Sequence, residues 1–246
     1  MNETVLMALA LIPALVIAIV FHEVAHGWVA LMLGDPTAKE RRRLSLNPIR
    51  HVDPVGTLLV PGGLLLAGLP AFGWAKPVPV IKSRLDNPRY GMMAVAAAGP
   101  GTNLLLAVVG ALALGLLAGA AAPEGAEPAA LIGLLAQGAM PDLSTGLGFA
   151  LMAVLQFILI NIFLALFNLL PIPPFDGSHI LEGLLPPRAA RAYERLRPLG
   201  FPLLFVLLLV IPWLFPGLGI VEKVVLPPAI WALERYMSLA VWVAGL

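Results

Sequence analysis

Long runs of residues without any charge are the feature that most restricts how this chain can fold. They cover residues 4–21, 90–123, 143–175, 198–221 and 236–246. A helix of roughly 20 apolar residues crosses the hydrocarbon core of a bilayer, so runs of this length predict membrane spans. Only 12% of the residues are charged, against about 25% in soluble domains. The sequence therefore predicts a membrane protein rather than a soluble protein with buried helices.

The positions of these runs predict an all-α polytopic membrane protein. Three spans, at about 4–33, 88–121 and 145–169, are expected to form a catalytic core within residues 1–180. Residues 181–246 are expected to add a basic surface segment and one or two further spans. These C-terminal spans are expected at about 198–216 and 224–244, of which the second is interrupted by Pro227, Pro228, Glu234 and Arg235.

Residues 51–82 are rich in glycine and proline and should differ from the spans. Their prolines, at positions 54, 61, 70, 77 and 79, forbid one continuous helix. We expect a short strand or a re-entrant segment at the membrane face, screened from lipid, because an unsatisfied peptide group in hydrocarbon costs several kcal/mol. An exposed strand edge in this segment would hold an extended peptide by β-addition.

The charges of the loops predict an orientation in the membrane. Loops 34–50 and 178–197 are rich in Lys and Arg, whereas loop 122–144 carries Glu124, Glu127 and Asp142 and no basic residue. The positive-inside rule places the basic loops in the cytoplasm, so the first span runs inward. We expect a multi-pass protein of the plasma membrane of a prokaryote. The net charge of +1 gives no reason to expect binding to nucleic acid.

The motif His22-Glu23-Val24-Ala25-His26 lies within the first predicted span. Residues i and i+4 of a helix share one face, so both imidazoles can bind one metal ion while Glu23 stands beside it. H-E-x-x-H also arises by chance in soluble proteins, but His and Glu inside a membrane span are costly and indicate a functional site. The alternative is a helix that begins lower and leaves the motif in an aqueous vestibule.

A catalytic zinc ion usually has three protein ligands and one open position. The chain has no cysteine, so the third ligand must be His, Asp or Glu. Asp176 is the leading candidate because it follows the third span, where prolines end the helix and Gly177 permits a tight turn. The spacing leaves a second interpretation open, in which Asp176 is only the N-cap of the next helix.

Taken together, these motifs resemble the site-2 protease family of intramembrane zinc metalloproteases. The matching segments are FHEVAHG on the first span, GPGTN at 99–103 and NLLPIPPFDG at 168–177. The resemblance covers roughly residues 15–180. It implies that His22, His26 and Asp176 bind Zn²⁺ and that Glu23 is the catalytic glutamate. It also implies a compact member of the family, without the PDZ or CBS domains of many relatives.

The function implied by this resemblance is hydrolysis of peptide bonds within or near transmembrane segments of membrane protein substrates. Zinc lowers the pKa of a bound water to about 7, and Glu23 is expected to act as general base. The expected partners are substrate transmembrane segments and the lipid bilayer, while the oligomeric state stays open. The alternatives are a metal-binding transporter, which needs no Glu23, and a non-catalytic scaffold of the same fold.

Other polar residues are secondary candidates. Asn103 and Asn168 are assigned to substrate or oxyanion binding, with helix–helix hydrogen bonding as the alternative for both. His51 and Asp53 are expected to form a turn at the membrane surface, and a role in orienting the metal ligands stays open. His179 follows Asp176 by three residues and should lie near the site. Polar residues inside the third span, Gln156 and Asn161, are too common in type to assign.

Overall fold

The computed structural model describes residues 3–66, 73–121, 127–138, 142, 145–215, 219 and 221–246. These residues form helices and connecting segments, and no strand occurs among them. The α-helices are α1 Glu3–Met32, α2 Thr37–Glu40, α3 Val60–Leu66, α4 Pro88–Ala121, α5 Pro128–Ala136, α6 Gly146–Asn168, α7 Asp176–Leu184, α8 Pro187–Glu194, α9 Gly200–Phe205, α10 Ile211–Leu214 and α11 Leu226–Ala244. Wider helical turns at Pro54–Leu59, Val206–Val210 and Val221–Val225 lead into α3, α10 and α11.

Within the described residues, four helices are long and apolar enough to cross a membrane. They are Val5–Met32, Pro88–Ala121, Gly146–Asn168 and Lys223–Ala244. Large apolar side chains such as Leu105 and Trp231 are exposed on their outer faces, which is the arrangement expected where lipid is the solvent. The prediction of an all-α polytopic membrane protein is confirmed.

Helix α4 lies at the centre of the bundle and packs against α1, α6 and α11. Its small residues permit this close approach, as in many membrane helix pairs. A Cβ atom on Gly110 would lie 2.7 Å from Ile158 of α6, and one on Gly115 would lie 2.5 Å from the carbonyl oxygen of Ala240 in α11. Ala107, Leu114 and their buried neighbours on these helices form the largest apolar core.

The C-terminal region contributes one of the four spans. The helix expected at about 224–244 is the long one, in spite of the two prolines at its start and the charges of Glu234 and Arg235 in its middle. The other expected span, at about 198–216, is represented by helical residues 200–214. A helix of that length is roughly 22 Å long, shorter than a hydrocarbon core of about 30 Å. Most residues of the connection that follows lie outside the described residues.

The Pro/Gly-rich segment is helical first and irregular afterwards. Residues 54–66 are helical, and residues 73–81 have no regular secondary structure, so the expected strand is not seen in the described part of this segment. The N–H groups of Trp74 and Lys76 donate to the carbonyl oxygens of Gly56 and His51. These acceptors lie in helical turns rather than in a strand, so the two hydrogen bonds do not form a ladder. Residues 67–72 lie outside the described residues.

The two basic loops meet at one end of the bundle. Arg84 pairs with Glu40 at 3.0 Å, and Lys82 pairs with Glu182 at 2.6 Å, which ties the segment before α4 to both loops. Part of loop 122–144 lies at the opposite end and forms α5, a helix that the sequence analysis did not predict. Ile132 and Leu135 of α5 are buried in the core formed with α4 and α11.

This arrangement predicts opposite labelling of two engineered cysteines. Lys39 and Gln137 are exposed on the two connections, and the native chain has no cysteine. In intact cells we expect a membrane-impermeant maleimide to label Gln137→Cys, and to label Lys39→Cys only after the membrane is opened. Ala38→Cys is the matched control, because Ala38 is fully buried and should react only in denaturant. Labelling of the first two from the same side would contradict the topology.

Candidate metal centre

The structure brings His22, His26 and Asp176 together, although 150 residues separate His26 from Asp176 in the chain. The Oδ2 atom of Asp176 lies 3.1 Å from Nε2 of His22 and 3.3 Å from Nε2 of His26. Ligand atoms placed 2.0–2.1 Å from a tetrahedral zinc ion are about 3.3 Å apart. The spacing of these three atoms therefore fits a zinc ion.

Hydrogen bonds to the other ring nitrogens orient both histidines toward the metal position. Nδ1 of His22 lies 2.6 Å from Oδ1 of Asn103, and Nδ1 of His26 lies 2.7 Å from the carbonyl oxygen of Val95. Both oxygens can only accept, so each Nδ1 carries a hydrogen, and in the neutral rings each Nε2 has a free lone pair. This is the usual arrangement of zinc-binding histidines.

The donor set leaves one buried oxygen that needs a cation. Oδ2 of Asp176 is buried and accepts no hydrogen bond from the described residues. It faces the lone pairs of two Nε2 atoms, so three acceptors converge without a hydrogen between them. A divalent cation bound by all three removes this repulsion, and the chemistry of the site fits Zn²⁺.

Asn103 contacts the metal site through His22 and does not line the cavity described below. It is fully buried, and its Nδ2 donates to the carbonyl oxygen of Ala18 and to Oδ1 of Asn161. Nδ2 of Asn161 donates in turn to the carbonyl oxygen of Phe157. We therefore propose that Asn103 orients His22 rather than binding substrate, and that Asn161 orients Asn103. The only sequence signal for Asn161 was an amide in an apolar span.

Glycine in α4 allows that helix to pass directly beside the metal ligands. A Cβ atom on Gly99 would lie 2.6 Å from ring atoms of both His22 and His26. This is closer than carbon and nitrogen atoms can approach without displacement. Pro100, next to it, has no N–H to donate to the carbonyl oxygen of Ala96, four residues earlier in α4.

Asp176 reaches the site through a compact turn after α6. The alternative interpretation, in which Asp176 is only an N-cap, is wrong, because Phe175 occupies the N-cap and Asp176 is the first residue of α7. A Cβ atom on Gly177 would lie 2.2 Å from the carbonyl oxygen of Leu169, so glycine is required for α7 to approach the end of α6. Phe175 packs on Phe167 with ring centroids 4.5 Å apart, which fixes the turn.

Glu23 is outside the set of three converging ligand atoms. Its Oε2 accepts a hydrogen bond of 2.8 Å from the N–H of Val78. Pro77 and Pro79 flank Val78 and have no N–H, so this segment offers Glu23 a single main-chain donor. The segment is itself held by Arg43, whose guanidinium donates to the carbonyl oxygen of Lys76 at 2.6 Å. The contact between Glu23 and Val78 was not predicted.

One cavity of about 1460 Å³ contains the three ligands and Glu23. Its walls are mainly apolar side chains of α1 and α6, including Leu15, Ile19, Leu159 and Phe163. These two helices pack together through Ala10 and Met152 nearer the N-terminus of each. Further along, residues of both helices line the cavity, which is an apolar space beside the metal position.

The remaining candidates take different places. Asn168 lines the cavity, and its Nδ2 donates to the carbonyl oxygen of Leu164 at 2.9 Å. His51 is buried rather than at a surface, and its Nε2 donates to the carbonyl oxygen of Ser45 at 2.8 Å. Asp53 caps the helix that begins at Pro54, so it supports this part of the fold. His179 lines the cavity close to Asp176.

The close approach of α4 predicts that Gly99→Ala weakens zinc binding. The added methyl group must displace either α4 or the rings of His22 and His26, and we expect at least a tenfold loss of zinc affinity. Gly101→Ala is the matched control, because a Cβ atom there meets nothing within 4 Å. Metal analysis of the purified variants during chelator titration measures both. Equal affinities in the two variants would contradict this account of Gly99.

Removal of the Asp176 carboxylate should weaken zinc binding further. Asp176→Ala leaves two protein ligands, and we expect a loss of more than the 10- to 100-fold that loss of an orienting partner typically costs. The same chelator titration measures it, with Asp53→Ala as a control for removing a carboxylate elsewhere. Full zinc occupancy with unchanged affinity would remove Asp176 from the ligand set.

Comparisons with known proteins identify the family of this chain. Residues 10–211 match the family model described as Peptidase family M50. The chain is 40% identical over 208 residues to YwhC of Bacillus subtilis (strain 168), a candidate zinc metalloprotease by its name, covering 83% of each chain. It is 29% identical over 198 residues to Rip2 of Mycolicibacterium smegmatis (strain ATCC 700084 / mc(2)155), also named as a candidate zinc metalloprotease, covering 79% of this chain and 65% of that one.

No solved structure matches the chain. The family model spans most of the sequence and includes every residue of the site described above, and the resemblance seen in the motifs is confirmed. The chain therefore belongs to peptidase family M50, the site-2 protease family of membrane metalloproteases.

Proposed function

We propose that this chain is an intramembrane zinc endopeptidase that hydrolyses peptide bonds within or near transmembrane segments of membrane proteins. The observation that carries the proposal is the convergence of three buried ligand atoms, with Glu23 beside them, in a cavity between apolar helices. Zinc held by His22, His26 and Asp176 would supply a Lewis acid for the scissile carbonyl and lower the pKa of a water to about 7.

Glu23 is the general base of this proposal. The N–H of Val78 holds Oε2, so Oε1 is the oxygen left to take a proton from the attacking water. Glu23 then returns this proton to the amine that leaves. The amine must be protonated to depart, and Glu23 is the acidic group of the cavity that is not a ligand. A metal transporter has no use for such a glutamate, so this residue favours the enzyme.

A substrate helix must unwind before it can react, because its amides are already bonded within the helix. The segment 73–78 is suited to hold the unwound chain. The N–H groups of Trp74, Lys76 and Val78 donate to Gly56, His51 and Glu23. These are alternate residues, as expected when one edge of an extended chain faces its acceptors. The opposite edge of the segment therefore points away from these acceptors. Gly73, Ala75 and Pro77 also line the cavity. We infer that the substrate lies along this second edge by main-chain pairing.

The apolar wall that α1 and α6 give to the cavity suggests how such a segment reaches the site. Both helices present apolar side chains to lipid there, among them Leu15 and Phe163, which are each more than a third exposed. A substrate span can therefore approach from the bilayer without exposing its own apolar surface to water. This is the property that an enzyme acting on membrane segments requires.

The site is proposed to lie inside the membrane, nearer to the cytoplasmic face. His26 precedes the last residue of α1, Met32, by six positions, which is roughly 9 Å along a helix. The basic loops follow at that end of the bundle, and Lys and Arg mark the cytoplasmic side. We further propose that the membrane is the plasma membrane of a prokaryote.

The mechanism predicts that Glu23→Gln abolishes cleavage and retains zinc. General-base catalysis typically contributes 10²–10⁴-fold, and glutamine can still accept the Val78 hydrogen bond but cannot take a proton. Cleavage of a single-span reporter protein, with an Asn-Pro pair at the centre of its apolar span to favour unwinding, is measured in proteoliposomes. Quantitative comparison of membranes from cells with either protein identifies native substrates that accumulate uncut.

Asp176→Ala is the matched comparison for this experiment, because it should lose zinc and activity together. Glu23→Gln should lose activity alone, with one zinc per chain by metal analysis. Turnover near that of the unaltered protein in Glu23→Gln would refute the proposed mechanism.

A further inference from the structure

His179 is a cavity residue that the proposed mechanism has not used. It lies on α7, three residues after Asp176, and the two residues share one face of that helix. His179 is partly buried and lines the same cavity as Glu23 and the metal ligands. His179 is not among the three converging ligand atoms, so it is not assigned to the metal.

The hydrogen atom of the His179 ring is placed by its neighbour. A guanidinium nitrogen of Arg197 lies 3.1 Å from Nδ1 of His179. Arginine has donors and no acceptor, so Nδ1 must accept and cannot carry a hydrogen. The neutral ring therefore has its hydrogen on Nε2, on the opposite side from Arg197. His22 and His26 have the reverse arrangement, with the hydrogen on Nδ1.

Arg197 is itself held firmly. Its guanidinium donates to the carboxylate of Glu182, which is 8% exposed, and it also pairs with Glu194 at 3.7 Å. The other carboxylate oxygen of Glu182 binds Lys82 at 2.6 Å, in the segment that leads back toward Val78. A group of four charged side chains thus fixes the orientation of one neutral imidazole.

The imidazole stays neutral over the physiological range. Burial, followed by the positive charge of Arg197, lowers the pKa of His179 to about 4. A ring with this pKa does not act as a general acid at neutral pH, because it has no second hydrogen to give. It can donate one hydrogen bond from Nε2 without changing its charge.

We propose that Nε2–H of His179 donates a hydrogen bond to the oxygen of the scissile carbonyl and holds it as negative charge develops there. This role rests on the proposed function above and adds a catalytic residue to it, with Arg197 as the positioning residue. No bond to His179 forms or breaks, and its hydrogen stays on Nε2 throughout. The ring supplies a neutral donor fixed in advance, which is the kind of group that stabilises an oxyanion effectively.

The kinetic test compares His179→Leu with His179→Gln in the reporter assay. Loss of one oxyanion donor typically lowers kcat by 10²–10³-fold, and we expect this for leucine with KM and zinc content nearly unchanged. Glutamine should recover part of the rate, because its amide N–H can replace Nε2–H. Arg197→Met should lower kcat less than His179→Leu does. Arg191→Met, at an exposed site on α8, is the matched control and should leave kcat unchanged.

A second measurement reads the hydrogen position without any turnover. Nitrogen-15 spectra of histidine-labelled protein in detergent should show His179 as the neutral form with its hydrogen on Nε2, and a mixture of both forms in Arg197→Met. A hydrogen on Nδ1 of His179 in the unaltered protein would overturn the proposal. So would loss of zinc in both His179 variants, since that would assign the residue to holding Asp176.

The two proposals fail in different ways. An unaltered rate in His179→Leu, alongside an inactive Glu23→Gln, would refute the role of His179 and leave the protease mechanism intact. Equal rates in Glu23→Gln and the unaltered protein would refute the mechanism itself, and with it the role of His179. A large fall in kcat for leucine, recovery with glutamine and the Nε2–H form together support the donor role.

Discussion

The rest of the structure depends on placing three metal-binding atoms where water cannot easily satisfy them. Two imidazole lone pairs and a carboxylate oxygen meet within hydrogen-bond distance in a bundle of apolar helices. Burying a charge without a partner costs several kcal/mol or more, and a cation bound by all three atoms of this cluster would offset that cost. The helices around it are arranged to bring the carboxylate to the two histidines and to leave space on the remaining side.

Helix α4 provides most of that arrangement without contributing a ligand. Gly99 lets it touch both histidine rings, while Asn103 and the carbonyl of Val95 fix their hydrogens. Arg89, at the start of α4, donates to the carbonyl oxygens of Gly183 and Leu185 at the end of α7. The helix that carries Asp176 is therefore attached to the same scaffold that orients its two partners.

The sequence alone was sufficient for the parts of this molecule that depend on local pattern. Three of the predicted spans begin and end within about two residues of α1, α4 and α6, because hydropathy is a property of consecutive residues. His22 and His26 were paired correctly on one helical face for the same reason. The contact of Glu23 with Val78 joins segments far apart in the chain, and that of His179 with Arg197 crosses a turn. No sequence periodicity predicts either contact. Asn161 illustrates the same limit, since its role is visible only once Asn103 is in place.

The charges suit an aspartate as the third ligand in the proposed site. The two positive charges of a zinc ion would be balanced by the carboxylates of Asp176 and Glu23, so the metal, its ligands and the base would be neutral together. A third histidine would leave one positive charge uncompensated in a medium of low dielectric constant. The groups that touch this set are neutral as well: the amide of Asn103, the carbonyl of Val95 and the N–H of Val78. The ions around His179 lie outside this set, and their two positive charges, on Arg197 and Lys82, are matched by the carboxylates of Glu182 and Glu194. Neutral donors and acceptors orient the proposed ligands without adding charge, which suits a site proposed to lie in a bilayer.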